Sequence, residues 1–283
     1  MHKKIIFYFS LIISIILITS CSNNDNIKLI SGQYYGTQTW SGQKIITGDT
    51  VINGDLKILP GTVIKFDVND DQQKGQEFPA DNYNLNDPTR KIDYEQSHSI
   101  LIIKGKLNSK GTNDNPIIFT SNSKNPKHAD WIGISINKDN SIIKNTIIEC
   151  SRNGMALIGK QENTIIQDNF FNNSFWSAIS SGTSGAKIIN NEIWNSGHEG
   201  IDVQGGNSII VNNKIYYSHT GIVILNGSPI IANNSMIIVG NDIYIKQNAT
   251  PKILKNGATY GDVNKNFTYN DFSYQIIGDP LVS

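Results

Sequence analysis

The feature that most constrains this chain is an internal repeat of about 22 residues, the size of one supersecondary unit in a stacked array. The segments NTII (Asn145 to Ile148), DNFF (Asp168 to Phe171), NNEI (Asn190 to Ile193), NNKI (Asn212 to Ile215) and NNSM (Asn233 to Met236) align on their last apolar residues, which fall 23, 22, 22 and 21 residues apart. Three residues further stand Ser151, Ser174, Ser196, Ser218 and then Val239. A break and a new apolar run follow each, beginning near Gly154, Ser177, Gly200, Gly221 and Asn241. An Ile-Ile pair precedes every Asn-containing pair, from Ile142-Ile143 to Ile230-Ile231.

Each unit therefore holds three short runs rich in strand-favouring residues, separated by Asn, Ser and Gly at the breaks. A unit of this size cannot bury its own apolar face and must stack on copies of itself, with strands about 4.8 Å apart from coil to coil. The Asn positions then become columns whose side chains can hydrogen-bond along the stack. A leucine-rich repeat would need a regular Leu framework, and a hexapeptide helix a six-residue period; neither is present. The expected fold is all-β, a single-stranded right-handed parallel β-helix (solenoid) of about eight to nine coils.

The repeat resembles those of the pectate-lyase-like β-helix superfamily, most clearly over Ser141 to Lys246. Upstream, Ile46 to Phe66, Ser99 to Ser121 and DWIGISI (Asp130 to Ile136) carry the same alternation and resemble the opening coils of bacterial surface lipoproteins with β-helix domains, with Trp40 capping the open end. The β-helix domain is expected over residues 31–283, with a C-terminal cap at 259–283, since an exposed coil end is an unpaired sheet edge. Residues 68–98, polar and acidic, read as a loop inserted between coils.

The N-terminus has a different logic. Lys3 and Lys4 precede an uncharged apolar run from Ile5 to Ile18, too short to span a membrane comfortably. Residues 1–20 read as a signal peptide. Ile18-Thr19-Ser20-Cys21 resembles a bacterial lipobox, which implies cleavage before Cys21, acylation of its thiol and a membrane anchor. Ser22 after the Cys implies, by the sorting rule of enteric bacteria, the outer membrane or cell surface. Residues 21–30 read as a lipidated tether. With Cys21 acylated, Cys150 has no disulfide partner. Removing Lys3 and Lys4 from 24 basic residues leaves 22 against 24 acidic ones, a net charge of −2, and Arg90 and Arg152 are the only arginines. That balance gives no electrostatic basis for nucleic acid as a partner. A monomer is expected.

Stacking converts sequence positions into surface columns. Two residues before each turn glycine or its equivalent lie Arg152, Phe175, His198 and His219. The next column is Asn153, Trp176, Glu199 and Thr220, and two residues into the strand come Ala156, Ile179, Asp202 and Val223. With Met155, Ala178, Ile201 and Ile222 inward, Asp202 points outward. Glu199, Asp202 and His198, with His219 one coil away and Arg152 beside them, form the best catalytic candidate. A carboxylate pair within about 10 Å, with His nearby, could do acid–base chemistry on a glycan. SGHEGIDV (Ser196 to Val203) resembles the NTDGID string of polygalacturonase-like hydrolases, with Glu199 in place of its Asp. The further Asp-Asp and Gly-His-Gly of those enzymes, and the Arg-x-Pro-x-x-Arg of pectate lyases, are absent. The bland alternative is a set of polar residues at solvated turns.

Trp176, Trp194 and Tyr216 are the candidates for carbohydrate contact. Trp194 and Tyr216 occupy equivalent positions in adjacent coils and should stack on the outer face. No cofactor is expected. Asp67, Asn69, Asp70 and Asp71 (DVNDD) are the one Ca²⁺ candidate, but the spacing lacks the Gly and distal Glu of a Ca²⁺ loop, and a solvated acidic loop is the preferred reading. Taken together, a lipid-anchored β-helix that binds polysaccharide or a surface partner is the leading reading. A polysaccharide lyase or glycoside hydrolase is the alternative, and an inert spacer the third.

Overall fold

The computed structural model describes residues 27–68, 89, 94, 96–237, 239–254 and 263–264. The expected signal peptide at 1–20, Cys21 and most of the cap at 259–283 lie outside the described residues, as does most of the insert. Among the described residues no helix is long and apolar enough to cross a membrane.

The chain winds as a parallel β-solenoid. Among the described residues one sheet contains nine strands, one per coil, from Gln38–Trp40 through Ile142–Lys144, Ile165–Gln167 and Ile209–Val211 to Lys252–Leu254. A second, seventeen-stranded sheet supplies the other two faces, with consecutive strands such as Glu192–Ser196 and Glu199–Val203 turning the corner between them. Every pairing is parallel and joins a strand to its copy one coil away: Ile165 faces Lys187, Ile193 faces Ile215, Ile201 faces Ile222. The nine coils match the repeat reading. The first strand, Lys28–Tyr35, pairs with Gln43–Asn53 and takes in the last three residues of the segment expected as tether.

The core is a stack of identical positions. Ile148, Phe171, Ile193 and Ile215 form one fully buried column, and Ile143, Ile166, Ile188, Ile210 and Ile231 another. Trp40, expected as a cap, is a buried member of this core in the first coil. At one corner the Asn pairs divide their labour. Asn145, Asp168, Asn190, Asn212 and Asn233 take the left-handed conformation, with φ between 47° and 59°, which Asn and Asp tolerate better than other side chains. The next residue turns inward. The Nδ2 of Asn169 donates to Asn191 Oδ1 at 3.0 Å, Asn191 to Asn213 at 2.9 Å, and Asn213 to Asn234 at 2.9 Å. Each of these oxygens also accepts the backbone N–H of the residue one coil earlier, so the amides satisfy the turn that buries them. The expected Asn column is therefore an internal ladder.

Candidate functional site

The strand Glu199–Val203 carries the predicted carboxylates. Ile201 and Val203 are fully buried in the core, so Asp202 between them projects to the outer face, as does Val223 one coil on. That face is not solvated: Glu199 is 1 % exposed, His198 4 % and Asp202 5 %. The expectation of polar residues at solvated turns is corrected here; the edge is closed over.

Rings and a guanidinium line this face on successive coils. Tyr94 from the insert donates its hydroxyl to the Ala129 carbonyl at 2.9 Å and stacks on His98 at 4.0 Å. The Arg152 guanidinium lies 5.9 Å from the Tyr94 ring centre. Trp176 packs on His198 at 4.5 Å, and His198 on His219 at 6.2 Å. The ring column is thus Trp176, His198, His219. Trp176 belongs in it, and Phe175 does not. The backbone N–H of Trp176 bonds to Arg152 O and that of His198 to Trp176 O. The equivalent of the turn glycines is Ala178, one residue later than Ser177, so Ser180 rather than Ile179 pairs with Asp202. Trp176 is nearly buried, so its ring face is taken by the protein.

Beneath these rings His198 Nδ1 contacts Glu199 Oε1, and Ser177 Oγ donates to Glu199 Oε2 at 2.9 Å. Asp202 Oδ2 accepts from Gln204 Nε2 at 3.0 Å and Ser180 Oγ at 3.3 Å, while the buried Oδ1 has no hydrogen-bond partner. Burial, and next the Glu199 charge, push the Asp202 carboxyl up to about 7 against the opposing pull of Gln204, Ser180 and His198. Burial also lowers His219, with His198 adding to the effect. Asp202 could therefore hold and release a proton near neutrality.

The aromatic candidates lie on a different face. Ile193 and Ile215 point inward, and Trp194 and Tyr216 point outward, stacked with ring centres 4.4 Å apart and an interplanar angle of 23°. Tyr217 stands 5.6 Å from Trp194, and the indole Nε1 donates to Glu192 Oε1 at 2.7 Å, which fixes the ring. Sequence reasoning missed what lies beside them. Along the corner that holds the Asn ladder runs a groove of about 970 Å³, with Ile147 and Phe170 on its floor and Glu192 at its border with Trp194. Its walls come from four coils and include the turn at Thr112 to Asp114, so no contiguous motif announces it.

Of the Ca²⁺ candidates, Asp67 Oδ1 accepts from Asn122 Nδ2 at 2.6 Å; Asn69, Asp70 and Asp71 lie outside the described residues. Among the described residues there is no group of three or more His, Cys, Asp or Glu placed to hold a metal ion. Cys150 is a free, buried thiol, pushed up to about 12 by burial and by Glu149 and Asp130, and so has no nucleophilic character at neutral pH.

A family model described as a right handed beta helix region matches residues 160–264. With the stacked parallel coils, this makes the chain a right-handed parallel β-helix repeat protein. Neither the curated proteins nor the solved structures yield a match to the chain.

Proposed function

We propose that this is an exported, lipid-anchored surface β-helix that binds polysaccharide through its outer aromatic face without altering it. The observation that carries the reading is the Trp194–Tyr216 stack: two outward rings held parallel on consecutive coils. Such rings present rigid apolar faces that suit sugar rings, at little cost in conformational entropy. A flat side of a β-helix would give a long polymer continuous contact. Replacing Trp194 and Tyr216 together by Ala should abolish retention in affinity gels containing the bound polysaccharide, with thermal stability little changed because both side chains are partly exposed. Unchanged retention would sink the reading.

The membrane anchor rests on the lipobox-like Ile18 to Cys21 string. Metabolic labelling with an alkyne fatty acid should mark the wild-type chain and leave Cys21→Ser unlabelled; equal labelling of both would remove the anchor from the proposal.

Catalysis is the second reading, and one observation favours it: Asp202, lifted to about 7 beside Glu199 and His198. The burial of all three weighs against it, because a general acid must reach the scissile oxygen. Release of reducing ends or unsaturated uronides from a polysaccharide panel, lost in Glu199→Gln/Asp202→Asn, would replace binding with catalysis.

A further inference from the structure

We infer that the groove beside the aromatic stack is a binding site for an uncharged glycan, lying along the solenoid axis across four coils. The inference rests on the polysaccharide-binding reading and names the class of ligand. The groove draws on the coils that contain Asp114, Ile147, Phe170 and Glu192, whose strands pair one above the next. Three steps of about 4.8 Å make the floor about 14 Å long, enough for a short run of sugar rings.

The floor is apolar and the walls are polar. Ile147 and Phe170, adjacent in register, are half-buried and face outward, each just before an inward residue, Ile148 and Phe171. Phe170 offers a ring face, and Ile147 continues it. Asn113 and Asn190 expose carboxamides at the rim, which can donate and accept toward hydroxyls at once.

Charge decides the class. The ionisable side chains on the groove are Asp114, Lys144, Asp168 and Glu192. Lys110 lies in register beside Lys144, and Lys214 beside Glu192. The lining itself carries three carboxylates against one ammonium, a net −2 that excludes polyanions, and the flanking Lys110 and Lys214 offset it from outside the groove. Two of the carboxylates are also already engaged. Lys144 Nζ sits 3.2 Å from Asp168 Oδ2, Gln167 Nε2 donates to the same oxygen at 2.9 Å, and Asn190 Nδ2 donates to Asp168 Oδ1 at 3.3 Å. Glu192 accepts from the Trp194 indole. A polyuronate needs a surplus of cations and a polyamine a surplus of anions. A neutral chain needs neither, and it finds carboxylate lone pairs and amides fixed in place for its hydroxyls.

The test uses the full-length chain in mild detergent, run in affinity gels with hydroxyethylcellulose, polygalacturonate or chitosan, beside Phe170→Ala and Trp194→Ala. Retention by the neutral polymer, at least tenfold stronger than by either charged one and changed less than about twofold between 50 and 500 mM salt, supports the inference, provided that Phe170→Ala weakens it at least fivefold with its melting temperature preserved. Stronger retention by a charged polymer, collapsing in salt, overturns the ligand class while leaving the aromatic face in place if Trp194→Ala still abolishes it. Retention lost in Trp194→Ala but unmoved in Phe170→Ala overturns the groove alone. No retention by any polymer overturns the inference and the binding reading together.

Discussion

Asn213→Ala should destabilise the protein by about 3 to 5 kcal/mol, whereas Asn212→Gly, one residue away, should change stability by less than about 0.5 kcal/mol. Asn213 is fully buried, and its Oδ1 accepts from both the backbone N–H and the Nδ2 of Asn191, each at 2.9 Å. Its Nδ2 donates to Ile188 O and to Asn234 Oδ1, each also at 2.9 Å. Truncation strands donors above and an acceptor below where water cannot replace the amide, and each buried orphan costs about 1 to 3 kcal/mol. Asn212 is exposed and contributes its left-handed φ of 59°, which glycine adopts freely. Denaturant melts of the two variants measure the difference. A loss under 1 kcal/mol for Asn213→Ala would show that the ladder ornaments the turn without holding it.

The second large effect is a dependence on pH. The Asp202 carboxyl is raised in the folded chain to about 7 by burial and by Glu199. A raised acid binds its proton more tightly folded than unfolded. Stability is therefore fullest below the unfolded value near 4 and falls as pH climbs through about 7. A shift of that size corresponds to a loss on the order of 4 kcal/mol at most between those limits. Groups facing Asp202 are Glu199, His198, Ser180 and Gln204, with His219 one coil further on. Asp202→Asn keeps an oxygen for Ser180 and Gln204 and removes the titration. The variant should match the wild type only below about pH 4, exceed it in melting temperature at pH 8, and show a flatter profile between. Parallel profiles for the two proteins would mean that another group carries the pH dependence.

The fold was legible because five successive coils, from Ile142 to Val239, repeat the same demands: an Ile pair, an Asn-containing pair and, in four of the five, a Ser at the next corner. Those demands fix strand order, register and inward face together, and so the Trp194–Tyr216 stack could be read from residue numbers alone. The candidate edge was legible in composition but not in alignment. Arg152 to Met155 and His219 to Ile222 are one residue shorter than Phe175 to Ile179, and without a glycine at Ala178 nothing in the sequence marks where the extra residue falls. Burial of Glu199 was hidden for a different reason. Alternation tells which side of a sheet a residue takes, not what lies over it, and Trp176, which packs on His198, sits in a coil with one residue more at that corner. The groove was invisible because Ile147 and Phe170 on its floor and Glu192 at its border form a column of unlike residues, which become neighbours only by stacking.

The left-handed residue at the Asn corner returns at nearly the same angle in coil after coil, φ 54° at Asp168, 56° at Asn190 and 59° at Asn212. Cross-section and length are thereby set independently. The corners fix the first, and the number of coils alone fixes the second. A duplication or deletion of one whole repeat rejoins two identical junctions and leaves every remaining layer as it was. Genetic change of that kind would lengthen or shorten the outer face in steps of about 4.8 Å. Such a chain is a ruler graduated in coils, and natural selection could tune the length of its faces one layer at a time.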